Sequence, residues 1–135
     1  MWTLPRRLRR IIGAATLLAG VVAARQVVRV EVQGHSMSPQ LRAGDRVVAL
    51  RGLRAGPGDV VAAGDPRRPS RLLIKRVVEV AGDRSVVLAG DNTEASTDSR
   101  RFGMVAPELV VGRVVWRYWP ADRRGRVGGC RRGVR

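Results

Sequence analysis

The sequence predicts a mostly β fold, a small antiparallel, barrel-like domain preceded by an N-terminal apolar helix. Three observations carry that prediction. Valine is abundant while aromatic residues make up only 4% of the chain, and β-branched side chains fit a pleated, half-buried surface. Short runs such as VVRVEV at 27–32 alternate apolar and polar residues, the period of a strand with one face covered. Gly/Asp turns recur between those runs: AGD at 43–45, GPGD at 56–59 and AGDR at 81–84. A length of 135 residues allows one core and not two.

Taken in order, residues 1–10 form a basic N-terminus, MWTLPRRLRR, with four arginines. The run IIGAATLLAGVVAA at 11–24 carries no charge, and Arg25 closes it. As a helix those residues span roughly 21 Å, against ~30 Å of hydrocarbon. Arginines snorkelling at both ends would extend the reach. Residues 11–25 are therefore expected to be a membrane anchor, with a cleaved secretory signal and a soluble core helix as alternatives. The arginines favour a cytoplasmic N-terminus. That expectation makes the chain a single-pass protein of the cell membrane, with membrane lipid as a partner and its body on the outer side.

The body, 26–121, reads as strands. In VVRVEV, Val28, Val30 and Val32 share one face and Arg29 and Glu31 the other. RVVALR at 46–51, VVAA at 60–63, RLLIKRVVEV at 71–80 and SVVLAG at 85–90 follow. DPRRP at 65–69 is expected to be a loop, because two prolines within it oppose a regular element. A polar segment, DNTEASTDSRRFG, precedes VAPELVVGRVVWRYWP, which holds at least one more strand. Residues 122–135 are a basic Gly/Arg-rich tail, expected to be disordered. Cys130 lies in it and is read as incidental; as the only cysteine it has no internal partner.

The net charge is +15. Such a balance suits nucleic acid or an anionic surface, but the charge is spread along the chain. No zinc spacing, aromatic RNA-binding run or basic recognition helix accompanies it. Without HxH, CxxC or HExxH, no metal or other cofactor is expected, and nucleic acid is not the expected partner.

His35 is the only histidine and immediately precedes Ser36. Neighbours on an extended chain point to opposite sides, so His35 is a poor base for Ser36. If the chain is a hydrolase, Ser with Lys remains as a known variant of the nucleophile–base pair. In QGHSMSP, Gly34 frees the backbone at a strand end and Pro39 fixes the following turn. Ser36 is thereby presented with its own N–H available to an oxyanion. On this stretch alone, a plain Ser-rich turn is the better reading. Lys75 is the only lysine among 26 basic residues. It shares a strand face with Leu73 and Val77, whose apolar surroundings disfavour the charged amine. A neutral amine could take the proton from Ser36, whereas an arginine could not.

Three stretches in this order, GHSMSPQLRAGDRVV, LIKRVV and AGDNTEASTDSRRFG, resemble the signature blocks of the type I signal peptidase family of Ser/Lys peptidases. Those blocks read roughly SMxPTL…GDxV, KRV and GDNxxxSxDSRxxG. Together they cover about residues 30–105. The resemblance implies a mostly antiparallel β domain, Ser36 as nucleophile and Lys75 as general base. It implies that Ser96 donates to Lys75 and orients it, that Asp98 and Arg100 pair to brace their loop, and that Asp91 and Asn92 help hold the turn. Gly34 stands where many relatives carry a hydroxyl oxyanion donor, so backbone N–H, that of Ser36 included, would serve. Gln40 replaces the usual threonine.

The function expected from the resemblance is a serine endopeptidase that cleaves signal peptides or N-terminal extensions from precursor proteins near a membrane. Ser36 lies eleven residues after Arg25, hence within roughly 36 Å of the helix end. The substrate strand would add beside the strand ending at Gly34 or the one holding Lys75. The C-terminal portion also resembles the maturation proteases of nickel-type superoxide dismutase, so a dedicated maturase is a second reading. A non-enzymatic basic binder of membrane surface or nucleic acid is the third.

Overall fold

The computed structural model describes residues 5–97 and 99–128. Asp98, Cys130 and the rest of 129–135 lie outside the described residues. The elements run α1 (Arg6–Arg25), β1 (Val27–Glu31), β2 (Arg46–Leu50), β3 (Val60–Asp65), β4 (Arg68–Val80), β5 (Val86–Ala89), α2 (Ser99–Phe102), β6 (Val110–Trp119) and β7 (Gly125–Arg126). Every strand pairing is antiparallel.

The strands form one sheet in the order β1-β2-β6-β3-β4-β5, with β7 on β6. The mostly β expectation holds; the barrel does not. Among the described residues β1 pairs with no strand but β2, and β5 with none but β4, Val86 adding a single bridge to Val105, so the sheet stays open. β4 is long enough to explain this. Its first half pairs with β3, while β5 begins to pair only at Arg76. The other edge of residues 68–75 is left without a strand.

β3 is buried along its whole length because it is central and covered on both faces. Its alternate residues feed two cores. Val60 and Ala62 join Val32, Met37, Leu41, Val47, Ile74 and Val114. Val61 and Ala63 join Val77, Val86, Leu88 and Val105. Small alanines at 62 and 63 let the two layers approach the strand closely. β1 shows the alternation read from its sequence: Val28 and Val30 pack against the first core while Arg29 and Glu31 face water.

Two local expectations change. DPRRP is not a loop throughout; Pro66 and Arg67 make a tight turn and β4 already begins at Arg68. Pro69 is tolerated near the start of a strand, where a missing N–H costs least. Within the segment read as a tail, Gly125–Arg126 pairs with β6 and Val127 is buried in the first core.

The expected transmembrane anchor is also corrected. Every described side chain of α1 is exposed, and no helix among the described residues is long and apolar enough to cross a membrane. Arginines at 6, 7, 9, 10 and 25 leave only the uncharged run 11–24 within this 20-residue helix. That run covers about 21 Å of a ~30 Å core.

Candidate active site

Ser36 stands in the turn that follows β1. Val32 donates to the Asp45 carbonyl and accepts from Gly44 N–H, both at 2.8 Å, which closes the neck of the loop between them. Gly34 takes a left-handed φ of +74°, where a side chain would be strained. Met37 and Leu41 then turn into the first core and pin the loop from inside. Ser36 is thus left half-buried between exposed His35 and buried Met37. Among the described residues its N–H has no protein acceptor.

Asp45 holds the far side of the same loop. Its carboxylate is only 2% exposed and accepts from Arg42 N–H at 2.9 Å, from Arg117 Nη1 at 3.4 Å and from Arg123 Nη2. Arg117 also donates to the Gln40 carbonyl at 2.7 Å. A buried carboxylate needs such partners, and these tie the loop to β6 and to the chain beyond it.

Lys75 lies in β4 opposite Val61 in the register, on the face of the second core. It is 3% exposed, and its Nζ donates to Ser96 Oγ at 2.9 Å. The third segment, 90–97, crosses between these two. Asn92 N–H donates to the Ser36 carbonyl at 2.8 Å. Gly90 is where the segments touch. A Cβ there would lie 2.5 Å from Ser96 Cβ and 2.6 Å from the Ser36 carbonyl oxygen. Arg76, next to Lys75, grips Asp91 through Nε and Nη2 at 2.7 and 2.8 Å.

Ser36 and Lys75 open into one groove of about 520 Å³, lined by residues 29–37 and 70–75 with Arg67, Ala95 and Thr97. Its long walls are two strand edges that carry no neighbouring strand, β1 and the first half of β4. No hydrogen bond joins the Ser36 hydroxyl to Lys75 among the described residues. Beside the groove, Arg67 donates twice to buried Asp65, at 3.1 and 2.9 Å, and holds that carboxyl below its ordinary 3.8.

The structure therefore brings Ser36, Lys75, Ser96 and Gly34 into one region. Arg100 sits on α2, exposed, donating to the Thr93 carbonyl at 3.2 Å. Its expected brace with Asp98 lies outside the described residues. Gln40, Asp45, Arg76 and Gly90 hold the segments together, and the reading from sequence gave none of them that role. Arg76 is one arginine among many, and Gly90 reads as the end of a strand run. Among the described residues no group of three or more His, Cys, Asp or Glu side chains could hold a metal ion.

Comparison with known proteins gives the family. The model of the family described as signal peptidase, peptidase S26, matches residues 6–87 and 84–119. Mitochondrial ATP-independent inner membrane protease subunit 1a of Arabidopsis thaliana is 34% identical, over 70% of this chain and 71% of its own. Mitochondrial inner membrane protease subunit 1 of Mus musculus is 29% identical over 84% and 88%. Signal peptidase IB of Staphylococcus aureus is 47% identical over 25% of this chain and 18% of its own. These relatives correct the expected location. They include proteases of the mitochondrial inner membrane, and α1 is not an apolar span, so the single-pass cell-membrane placement with a cytoplasmic N-terminus falls. With its family model matched along most of its length, the chain belongs to the signal peptidase S26 family of peptidases.

Proposed function

We propose that the chain is a serine endopeptidase with a Ser36/Lys75 dyad that removes N-terminal extensions from precursor proteins. One observation carries the reading: the sole lysine of the chain is buried, hydrogen-bonded to Ser96, and lines the same groove as Ser36.

In this reading the precursor enters as an extended strand between β1 and the first half of β4, completing the sheet by β-augmentation. Ser36 Oγ attacks the scissile carbonyl carbon while Lys75 takes the hydroxyl proton. The oxyanion is met by the Ser36 N–H, which has no protein acceptor among the described residues. Lys75 then gives its proton to the leaving amine, and the new N-terminus departs. A water, deprotonated by Lys75, attacks the Ser36 ester, and Lys75 returns that proton to Ser36 Oγ as the cleaved extension leaves with its new carboxylate. Ser96 holds the Lys75 amine at the angle both transfers need. Nothing in the cycle requires a nucleotide, which fits the ATP-independent naming of the plant relatives.

The relatives' names supply the substrate class. Proteases of an inner membrane and a signal peptidase suggest precursors whose extensions emerge beside a bilayer. Incubating the purified chain with candidate precursors and sequencing the new N-termini tests this. Wild-type protein should produce one defined N-terminus per precursor, and folded Ser36→Ala should produce none. Equal cleavage by Ser36→Ala would end the proposal.

A further inference from the structure

Gln40 occupies the place where the resembling family pattern has threonine, and its side chain reaches two bonds further from the backbone than a threonine hydroxyl. The extra reach is used. Gln40 Oε1 accepts a hydrogen bond from Arg76 Nη2, and its Nε2 donates to the Gly128 carbonyl at 3.4 Å. Arg76 directly follows Lys75. The same guanidinium holds Asp91 with two bonds and donates from Nη1 to the Gly58 carbonyl at 2.6 Å. Asn92, next to Asp91, binds the Ser36 carbonyl. The path therefore closes on itself: from Ser36 along the turn to Gln40, across to Arg76, on to Asp91 and Asn92, and back to Ser36.

We propose that Gln40 is a positioning residue that fixes the Ser36 turn against the strand carrying Lys75, with the Arg76 guanidinium as the shared clamp. Arg76 and Asp91 are 16% and 19% exposed, so their bonds form largely out of water and are stronger for it. Asn92 ties the turn to the 90–97 segment, Met37 and Leu41 seat it on the first core, and Arg117 holds the Gln40 carbonyl. The Gln40 side chain is its tie to Arg76, hence to the strand that carries Lys75. Without that tie the turn shifts relative to Lys75, and misplacements of about 1 Å can cost up to ~100-fold in rate. Gln40 does not line the groove. Its loss should therefore slow the chemistry and leave substrate binding alone.

This proposal rests on the Ser36/Lys75 reading, and the experiment separates the two. The full chain is reacted with p-nitrophenyl acetate, an ester small enough to leave the groove empty, and the burst of p-nitrophenol reports acylation. Gln40→Met keeps the length without the acceptor and should acylate about tenfold more slowly. Gln40→Asn, with its amide drawn back by one carbon, should be slowed as well. Gln40→Glu restores an acceptor for Arg76 and should stay within about threefold of wild type. With a cleavable precursor peptide, kcat should fall in Gln40→Met while KM holds. Wild-type acylation in both Gln40→Met and Gln40→Asn, with Ser36→Ala inert, would overturn the positioning role alone. A wild-type burst from Ser36→Ala would instead overturn the dyad.

Discussion

At the scale of single residues, the lone lysine invites the most direct test. Lys75→Arg retains the positive charge, yet a guanidinium stays protonated at any working pH and cannot accept the Ser36 proton. Its planar fork also exceeds the space of an amine that is 3% exposed. Cleavage should fall by at least about a hundredfold, as removal of a catalytic base typically does. The measurement is precursor turnover by protein shown to be folded; near-normal turnover would make Lys75 a structural cation. Gly90→Ala probes the contact between the segments. The added methyl meets Ser96 and the Ser36 carbonyl, and neither is the free end of a long side chain. We expect a loss of stability of about 1–3 kcal/mol, typical of overpacking, together with reduced cleavage. An unchanged thermal midpoint would contradict the close approach. That Ser36 and Lys75 stood out in the sequence follows from locally odd surroundings, one lysine in an apolar run and one serine past a strand-ending glycine, whereas Ser96 came only with the family resemblance. Gly90 did not stand out, since its reason is the meeting of residues six and fifty-four positions away.

At the scale of elements, the β3–β4 hairpin shows how a short motif acquires an electrostatic role. Two prolines in DPRRP suggested a loop, but Pro66 and Arg67 form only the tip. Asp65 closes β3, buried to 2% exposure, and Arg67 turns back to bond it. The Arg67 side chain also lies over the Phe102 ring, 5.5 Å from its centroid. The turn was illegible because its register comes from this backward-reaching pair, which the order of letters does not display. Strand alternation, by contrast, was legible throughout β1, since one face is covered and one is not. The hydrogen bond from Arg67 lowers the Asp65 pKa below its ordinary 3.8. A folded value below the unfolded one means the stabilisation is complete above about pH 4 and disappears as pH falls through the folded value. The stability gap between wild type and Asp65→Asn should therefore be flat at neutral pH and narrow below about pH 4. Chemical denaturation across that range measures it. A gap that widens on acidification would show that the carboxylate is not stabilising the hairpin.

At the scale of the whole molecule, the open sheet leaves a groove where its described strands do not meet. The edges of β1 and of residues 68–75 carry no neighbouring strand, and the groove runs between them. The strand count alone suggested a barrel; only the lengths of β4 and β5 reveal the missing rung. The apolar run 11–24 was legible as a helix, but the arginines expected to extend its reach do not make α1 a membrane span. α1 contributes nothing to either core: every described side chain on it is exposed. What attaches the following chain to the sheet begins at Gln26, whose carbonyl accepts from Arg51 N–H at 2.8 Å, and continues through the β1–β2 ladder. Burial of apolar area is the main stabilising term in folding, so removing an element that buries none should leave the folded body as stable as before. Deleting residues 1–25 should therefore shift the thermal midpoint by less than about 3 °C, where ~1 kcal/mol corresponds to roughly 4–8 °C in a domain of this size. The truncated chain should also keep the p-nitrophenyl acetate burst, because Ser36, Lys75, Ser96 and the clamp around Arg76 all lie within 34–97. A fall of more than about 10 °C would mean that α1 covers a face of the sheet in solution. Retained stability with a lost burst would instead place a requirement of the chemistry in the helix itself.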